Sequence, residues 1–221
     1  MKLVLVGGHS RNIGKTSVAA GLIRALPEYQ WVAVKITQYG HGICSMNGEH
    51  CGCSPGEHSF VITEEQERGT GTDTSRFLDA GARRSLWVRT KQGELFTALP
   101  AVQKEIEGAE SVIVESNSLR RFLKPTVYLQ VLDPRQEDFK ISAQQFFDLA
   151  DAYLFVVPDR STAGVPQQGP WINVSLSREL ARGKLCFTVH PQEGFLSGEV
   201  TAFVRGKLGA AGSSHSFEGI S

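Results

Sequence analysis

The feature that most constrains this chain lies at its start. Four apolar residues, Leu3 to Val6, run into GGHSRNIGKTS at positions 7–17, and an amphipathic stretch follows. An apolar run without alternation is the pattern of a strand buried on both faces. A glycine-rich loop that follows such a strand and opens a helix points successive backbone N–H groups inward, and the helix N-terminus adds the positive end of its dipole. That arrangement cradles phosphate. Lys15 is placed to reach β- and γ-phosphates, and Thr16 to put its hydroxyl on Mg²⁺. The common spacing is G-x4-G-K-[ST]; counted from Gly8 the loop reads G-x5-G-K-T, one residue longer. Gly8, Asn12, Ile13, Gly14, Lys15, Thr16 and Ser17 are the expected nucleotide-binding residues. Lys15 is expected to face solvent while the loop is empty.

The rest of the chain repeats strand and helix. Apolar runs at 2–6, 31–36, 85–89, 111–115, 127–132, 153–157 and 185–189 read as strands. Helical patterns fill 15–26, 94–107, 142–150, 175–182 and 197–208. Pro100 should start or kink the second of these, and Ser142 with Gln145 has capping-box spacing. Such alternation predicts an α/β chain with a mostly parallel sheet of about seven strands and helices on both faces, the three-layer P-loop NTPase fold. Residues 1–208 are expected to form that domain. A Gly-rich, acidic insertion without periodicity spans 38–71, and 209–221 reads as a flexible tail.

Composition narrows the function classes. Lys+Arg and Asp+Glu both number 23, so the basic excess of a general nucleic-acid binder is absent. No apolar run approaches the ~20 residues that span a bilayer, and Leu3–Val6 is too short for a signal peptide. A cytoplasmic protein is expected, without nucleic-acid or membrane partners. Its four cysteines then read as thiols or metal ligands.

Two further residues belong with the loop. Lys35 sits in VAVKIT, inside an apolar strand where an ammonium is costly without an anionic partner. Glu115 ends SVIVE, an acid at the carboxyl end of a core strand, where it would order Mg²⁺. Ligands of open α/β sheets sit at these ends. Arg120, Arg121 and Lys124 follow close by. They form either an exposed face or a grip on an anionic small-molecule second substrate. The Asn-Lys-x-Asp sequence that reads guanine in Ras-type GTPases is absent, and VPD at 157–159 and HPQE at 190–193 are weak base contacts. The nucleotide is ATP or GTP.

The loop variant and Lys35 resemble dethiobiotin synthetases. The segment TDTSRFLDAGARRSLWVR, at 72–89, resembles the molybdopterin-guanine dinucleotide biosynthesis protein B family. The N-terminal loop, KITQYGHG and the strand-end glutamate arrive in that family's order over roughly residues 1–116. The loop HSRNIGKT and the segment ESNS differ from that family's versions. The resemblance implies a nucleotide-binding domain that assists nucleotide attachment to molybdenum cofactor, with a partner protein of cofactor biosynthesis. It carries over Asp73 and Arg76 to the neighbourhood of the γ-phosphate; Asp73 reads equally as a helix N-cap.

Cysteine and histidine cluster in GHGICSMNGEHCGCSPGEH, positions 40–58. Thiolates with imidazoles select Zn²⁺ or an iron–sulfur cluster. His41, Cys44, Cys51 and Cys53 are the candidate Zn²⁺ ligands, with His50 and His58 interleaved. Cys186, in LCFTV, reads as a small core residue. Three functions follow: an Mg²⁺-dependent NTP-using protein of the molybdenum-cofactor kind, an ATP-dependent ligase or small-molecule kinase, or a nucleotide-gated metal-handling accessory protein.

Overall fold

The computed structural model describes residues 1–39, 59–157, 183–190 and 196–210. Its strands are β1 (Lys2–Gly8), β2 (Val32–Tyr39), β3 (Phe60–Glu64), β4 (Arg84–Lys91), β5 (Ser111–Glu115), β6 (Val127–Leu132), β7 (Ala152–Val156) and β8 (Leu185–Val189). Its helices are α1 (Lys15–Ala25), α2 (Asp73–Asp79), α3 (Leu95–Glu105), α4 (Ile141–Gln144) and α5 (Gly198–Ala210). The strands form one sheet in the order β3-β4-β2-β5-β1-β6-β7-β8. All neighbours pair in parallel except β3, which runs antiparallel to β4 at the edge.

Period-two alternation deals the strand side chains to two cores. Val4, Val6, Ala33, Ile113, Leu129, Val131 and Leu154 pack against Val18 and Leu22 of α1, Phe77 of α2 and Val200, Val204 and Leu208 of α5. Leu3, Leu5, Val34, Val112, Val114, Leu132 and Tyr153 pack on the other face against Ala98 and Val102 of α3 and against Phe147. Helices on both faces of the sheet make the three-layer α/β architecture, and they explain why the strands read as unbroken apolar runs.

Several local details differ from the sequence reading. The sheet has eight strands among the described residues, because FVITE within the 38–71 insertion pairs with β4 from Phe60 opposite Thr90 to Glu64 opposite Leu86. Of the two places expected for Pro100, the structure has the one inside α3, not its start. The helix expected over 142–150 breaks into α4 and a 3₁₀ turn at Phe147–Leu149. Lys140, not Ser142, precedes its first turn, and no side chain caps it. Helix α5 continues through Gly209 to Ala210. The helix expected over 175–182, the VPD and HPQE base contacts beyond Val157 and His190, and the tail beyond Ala210 lie outside the described residues.

Candidate functional site

Parallel pairing brings the carboxyl end of β5 beside β1 and beside the middle of β2. Val6 is in register with Glu115, and Glu115 with Lys35. Side chains in register on parallel strands share a face, here the face that α1 covers. Thr16, in the first turn of α1, donates from Oγ1 to Glu115 Oε2 at 2.7 Å. Lys35 Nζ donates to Glu115 Oε1 at 3.1 Å and to Asp73 Oδ2. Asp73 is the first residue of α2; Thr72 is its N-cap, accepting from the Ser75 N–H at 3.1 Å. Arg76, one turn on, donates to Ser17 Oγ at 2.7 Å and lies 3.6 Å from Asp73. The structure therefore gathers Thr16, Ser17, Lys35, Asp73, Arg76 and Glu115 around one point.

The electrostatics there are mutual. Burial alone would push the Lys35 ammonium down, but the Glu115 and Asp73 carboxylates reverse that and hold it above the ordinary lysine range. Burial would raise Asp73; the Lys35 charge and hydrogen bond hold it below the usual carboxylate range. Glu115 is 5% exposed and stays paired on both oxygens.

The loop takes its shape from several contacts. Asn12 has φ 54° and Gly14 φ 91°, both left-handed, a region asparagine and glycine tolerate best. Gly8 ends β1, and its N–H and carbonyl are both held by the Asn117 side chain, at 2.7 and 2.8 Å. A Cβ on Gly8 would lie 2.8 Å from Ile13 Cδ1 and Lys15 Cδ. Gly8 thus shapes the loop, and its N–H is already committed to Asn117. The loop proper starts at His9, from which the spacing to Gly14 is x4. Counted from there the loop has the common length, with histidine at its first position.

His9 is fully buried. Its Nδ1 accepts from the Asp133 N–H and its Nε2 faces the Gln136 carbonyl, each at 3.4 Å, while its ring lies 5.3 Å from that of Phe139. Burial holds the imidazole below the ordinary histidine range. Next to it Ser10 Oγ donates to Asp138 at 2.8 Å. Lys15 does not point into solvent. Its Nζ folds back onto the Ser10 carbonyl at 2.6 Å, and burial pushes its ammonium down.

These groups line a cleft of about 950 Å³ over the carboxyl edge of the sheet. Arg11 to Ser17, Lys35, Asp73, Arg76 and Glu115 line it. Asn117, Arg121, Phe122, Lys140 and Phe146, from the segments after β5 and β6, line it as well. Arg120 turns its Nη1 to the Leu123 carbonyl, and neither it nor Lys124 lines the cleft. Asn117, Lys140 and His9 were not singled out from the sequence. Asn117 follows the strand-end acid by two residues, and that position was the available signal.

Thr16, Glu115 and Asp73 offer hard oxygen donors, which suit Mg²⁺. Among the described residues no group of three or more histidine, cysteine, aspartate or glutamate side chains could hold a metal ion. Thr16 and Glu115 are the oxygen donors here that could enter an Mg²⁺ shell completed by other ligands. The Zn²⁺ candidates His41, Cys44, Cys51 and Cys53 lie outside the described residues. Cys186 is half-buried against the second core, and burial pushes its thiol up. No helix among the described residues is long and apolar enough to cross a membrane.

The strand order and the loop define an α/β protein of the P-loop nucleotide-binding fold. No protein-family model and no curated protein matches the chain. Among solved structures it is similar to HypB from Helicobacter pylori in complex with nickel, at 16% identity over 96% of this chain and 90% of that one, TM-score 0.48. It is also similar to the "apo" form of LpxK from Aquifex aeolicus in complex with ATP, at 14% identity over 86% and 71%, TM-score 0.45.

Proposed function

We propose that the chain binds a nucleoside triphosphate, ATP or GTP, with Mg²⁺ and transfers or hydrolyses its γ-phosphate. The observation that supports this most is the convergence on Glu115. A buried carboxylate takes a hydrogen bond from the Thr16 hydroxyl of the phosphate loop and an ion pair from Lys35 of the neighbouring strand. On phosphate binding Lys15 exchanges the Ser10 carbonyl for phosphate oxygens, a stronger, charge-assisted bond. Lys35 and Arg76 stand ready to take charge that develops on the transferred group.

Within this reading, assistance to molybdenum-cofactor nucleotide attachment rests on the order of the sequence motifs. Ligase or kinase chemistry rests on Lys35 beside the phosphate loop. Nucleoside-diphosphate release with and without candidate acceptors separates them.

Lys15→Ala should abolish binding of Mg-ATP and Mg-GTP while the protein stays folded, because Lys15 makes one hydrogen bond to a neighbouring carbonyl. Glu115→Gln should keep nucleotide binding and lower turnover by ~10²–10³, the usual cost of one positioned charge. Equal nucleotide affinity in wild type and Lys15→Ala by calorimetry would refute the reading.

A further inference from the structure

Part of the cleft lining comes from the segments after β5 and β6, and past Asn117 its side chains make no hydrogen bond to the phosphate loop, Asp73 or Glu115. The 3₁₀ turn Ser118–Arg121 and the start of α4 form its wall. Along positions 116–146 that wall contributes no carboxylate to the cleft. It contributes two cations.

Lys140 lies just before α4, and its backbone N–H donates to the His9 carbonyl at 2.8 Å. That bond pins it beside the phosphate loop. Its ammonium is half-buried and makes no hydrogen bond or ion pair with any described residue. Lys15 and Arg11 crowd it with like charge, and burial with that crowding pushes it down to about 8. Asp138 and Glu115 are the opposing charges near it. A cation kept there without a partner is stabilised when an anion arrives. Arg121, in the 3₁₀ turn after β5, lines the cleft too. It is exposed, donates one bond to Gln145 Oε1 at 3.0 Å, and has no carboxylate partner among the described residues. The same wall carries apolar side chains, Phe122 and Phe146 half-buried and Ile141 72% exposed, together with Ser118, Ser142 and Gln145.

We propose that this part of the cleft binds a second substrate, a small anion with an apolar or aromatic body. Lys140 and Arg121 hold its phosphate or carboxylate, and Phe122 and Phe146 cover its body. The proposal rests on the nucleotide reading above in one respect: the bound molecule is the acceptor of that nucleotide's chemistry. The site's cations come from the segments after β5 and β6, not from the phosphate loop.

The test is calorimetric titration of phenyl phosphate, with inorganic phosphate and phenol as single-feature controls. It is run on the free protein and on protein holding Mg²⁺ and a non-hydrolysable triphosphate. Wild type should bind phenyl phosphate in both states, more tightly than either control. Lys140→Met should weaken that binding ~10-fold or more, the scale of a lost charge-assisted bond. Arg121→Ala should weaken it several-fold, and triphosphate affinity should change little in either variant. Lys15→Ala should retain phenyl phosphate binding. Nucleotide affinity, measured on the same preparations, reports on the nucleotide reading alone. Loss of phenyl phosphate in Lys15→Ala with retention in Lys140→Met would overturn the proposal, and so would its exclusion by the bound triphosphate. Absence of binding in the wild type would overturn it as well.

Discussion

Asn117→Ala should destabilise the fold and the phosphate loop together. Strand β5 ends at Glu115, yet β1 continues two residues past the Val6 partner of Glu115. The Ser116 N–H still bonds the Val6 carbonyl, at 3.1 Å. The Asn117 amide then takes both polar groups of Gly8, acting as one more rung of a ladder whose strand has ended. Gly8 is buried, so alanine at 117 would strand a backbone donor and acceptor. A net ~0.5–1.5 kcal/mol per hydrogen bond gives a loss of about 2 kcal/mol for the pair. Because Asn117 lines the cleft, water can partly replace the amide, which keeps the loss near that figure and below the full desolvation cost. For a chain of this length about 2 kcal/mol lowers Tm by roughly 4–8 °C. Nucleotide affinity should fall too, because Gly8 sets where the loop begins. Asn117→Asp keeps the acceptor for the Gly8 N–H but loses the donor to its carbonyl, and it adds negative charge near the phosphates. It should bind Mg-nucleotide more weakly than Asn117→Ala at similar Tm. The assays are thermal unfolding followed by circular dichroism and nucleotide calorimetry. A wild-type Tm together with wild-type affinity in Asn117→Ala would refute the ladder argument.

Two other outcomes follow from the same geometry. Lys35→Met leaves Glu115 buried with only Thr16, and should cost ~2–3 kcal/mol, below the usual figure for a broken buried pair because Asp73 is 38% exposed. Lys35→Met/Glu115→Leu should recover most of that loss; a double variant no more stable than Lys35→Met would count against the pairing. Phenyl phosphate affinity should be highest well below pH 8 and fall ~10-fold by pH 9, because the free-state ammonium of Lys140 loses its proton near 8 and the bound anion requires it charged. Lys140→Arg should flatten that profile between pH 7 and 9, and a slope that survives the substitution would assign the titration to another group.

Much of the fold was legible because its signals are local. Four strand residues with no polar break, a glycine-rich turn and an amphipathic helix identify β1 and α1 without reference to distant chain. Glu115 could be placed at a strand end for the same reason, whereas Lys35, expected at one, lies mid-strand because β2 runs on to Tyr39. Strand β3 was hidden because its five residues sit in a Gly-rich acidic segment and pair with a strand more than twenty residues away. Helix α4 was overestimated because the spacing of Ser142 and Gln145 says nothing of Phe146, whose φ of −124° breaks the helix. Asn117 and Lys140 act across 109 and 131 residues, on Gly8 and His9, and neither residue type announces such a contact.

His9 shows how a site can depart from its common pattern and stay ordered. Glycine is usual at the first loop position because the backbone there approaches its neighbours closely. Here the backbone needs no left-handed angle at position 9, since the positive φ values fall at Asn12 and Gly14. The histidine side chain can therefore turn away from the phosphates, into the segment 133–139. Its ring accepts from the Asp133 N–H and packs on Phe139, while its carbonyl receives the Lys140 N–H. His9 thereby anchors the segment 133–140, in which Lys140 carries an ammonium with no partner among the described residues. An anion bound by Lys140 would act on a residue joined by one backbone hydrogen bond to the residue that opens the phosphate loop. Any coupling that this bond carries is reciprocal: an anion that tightens nucleotide binding is itself tightened by nucleotide to the same degree.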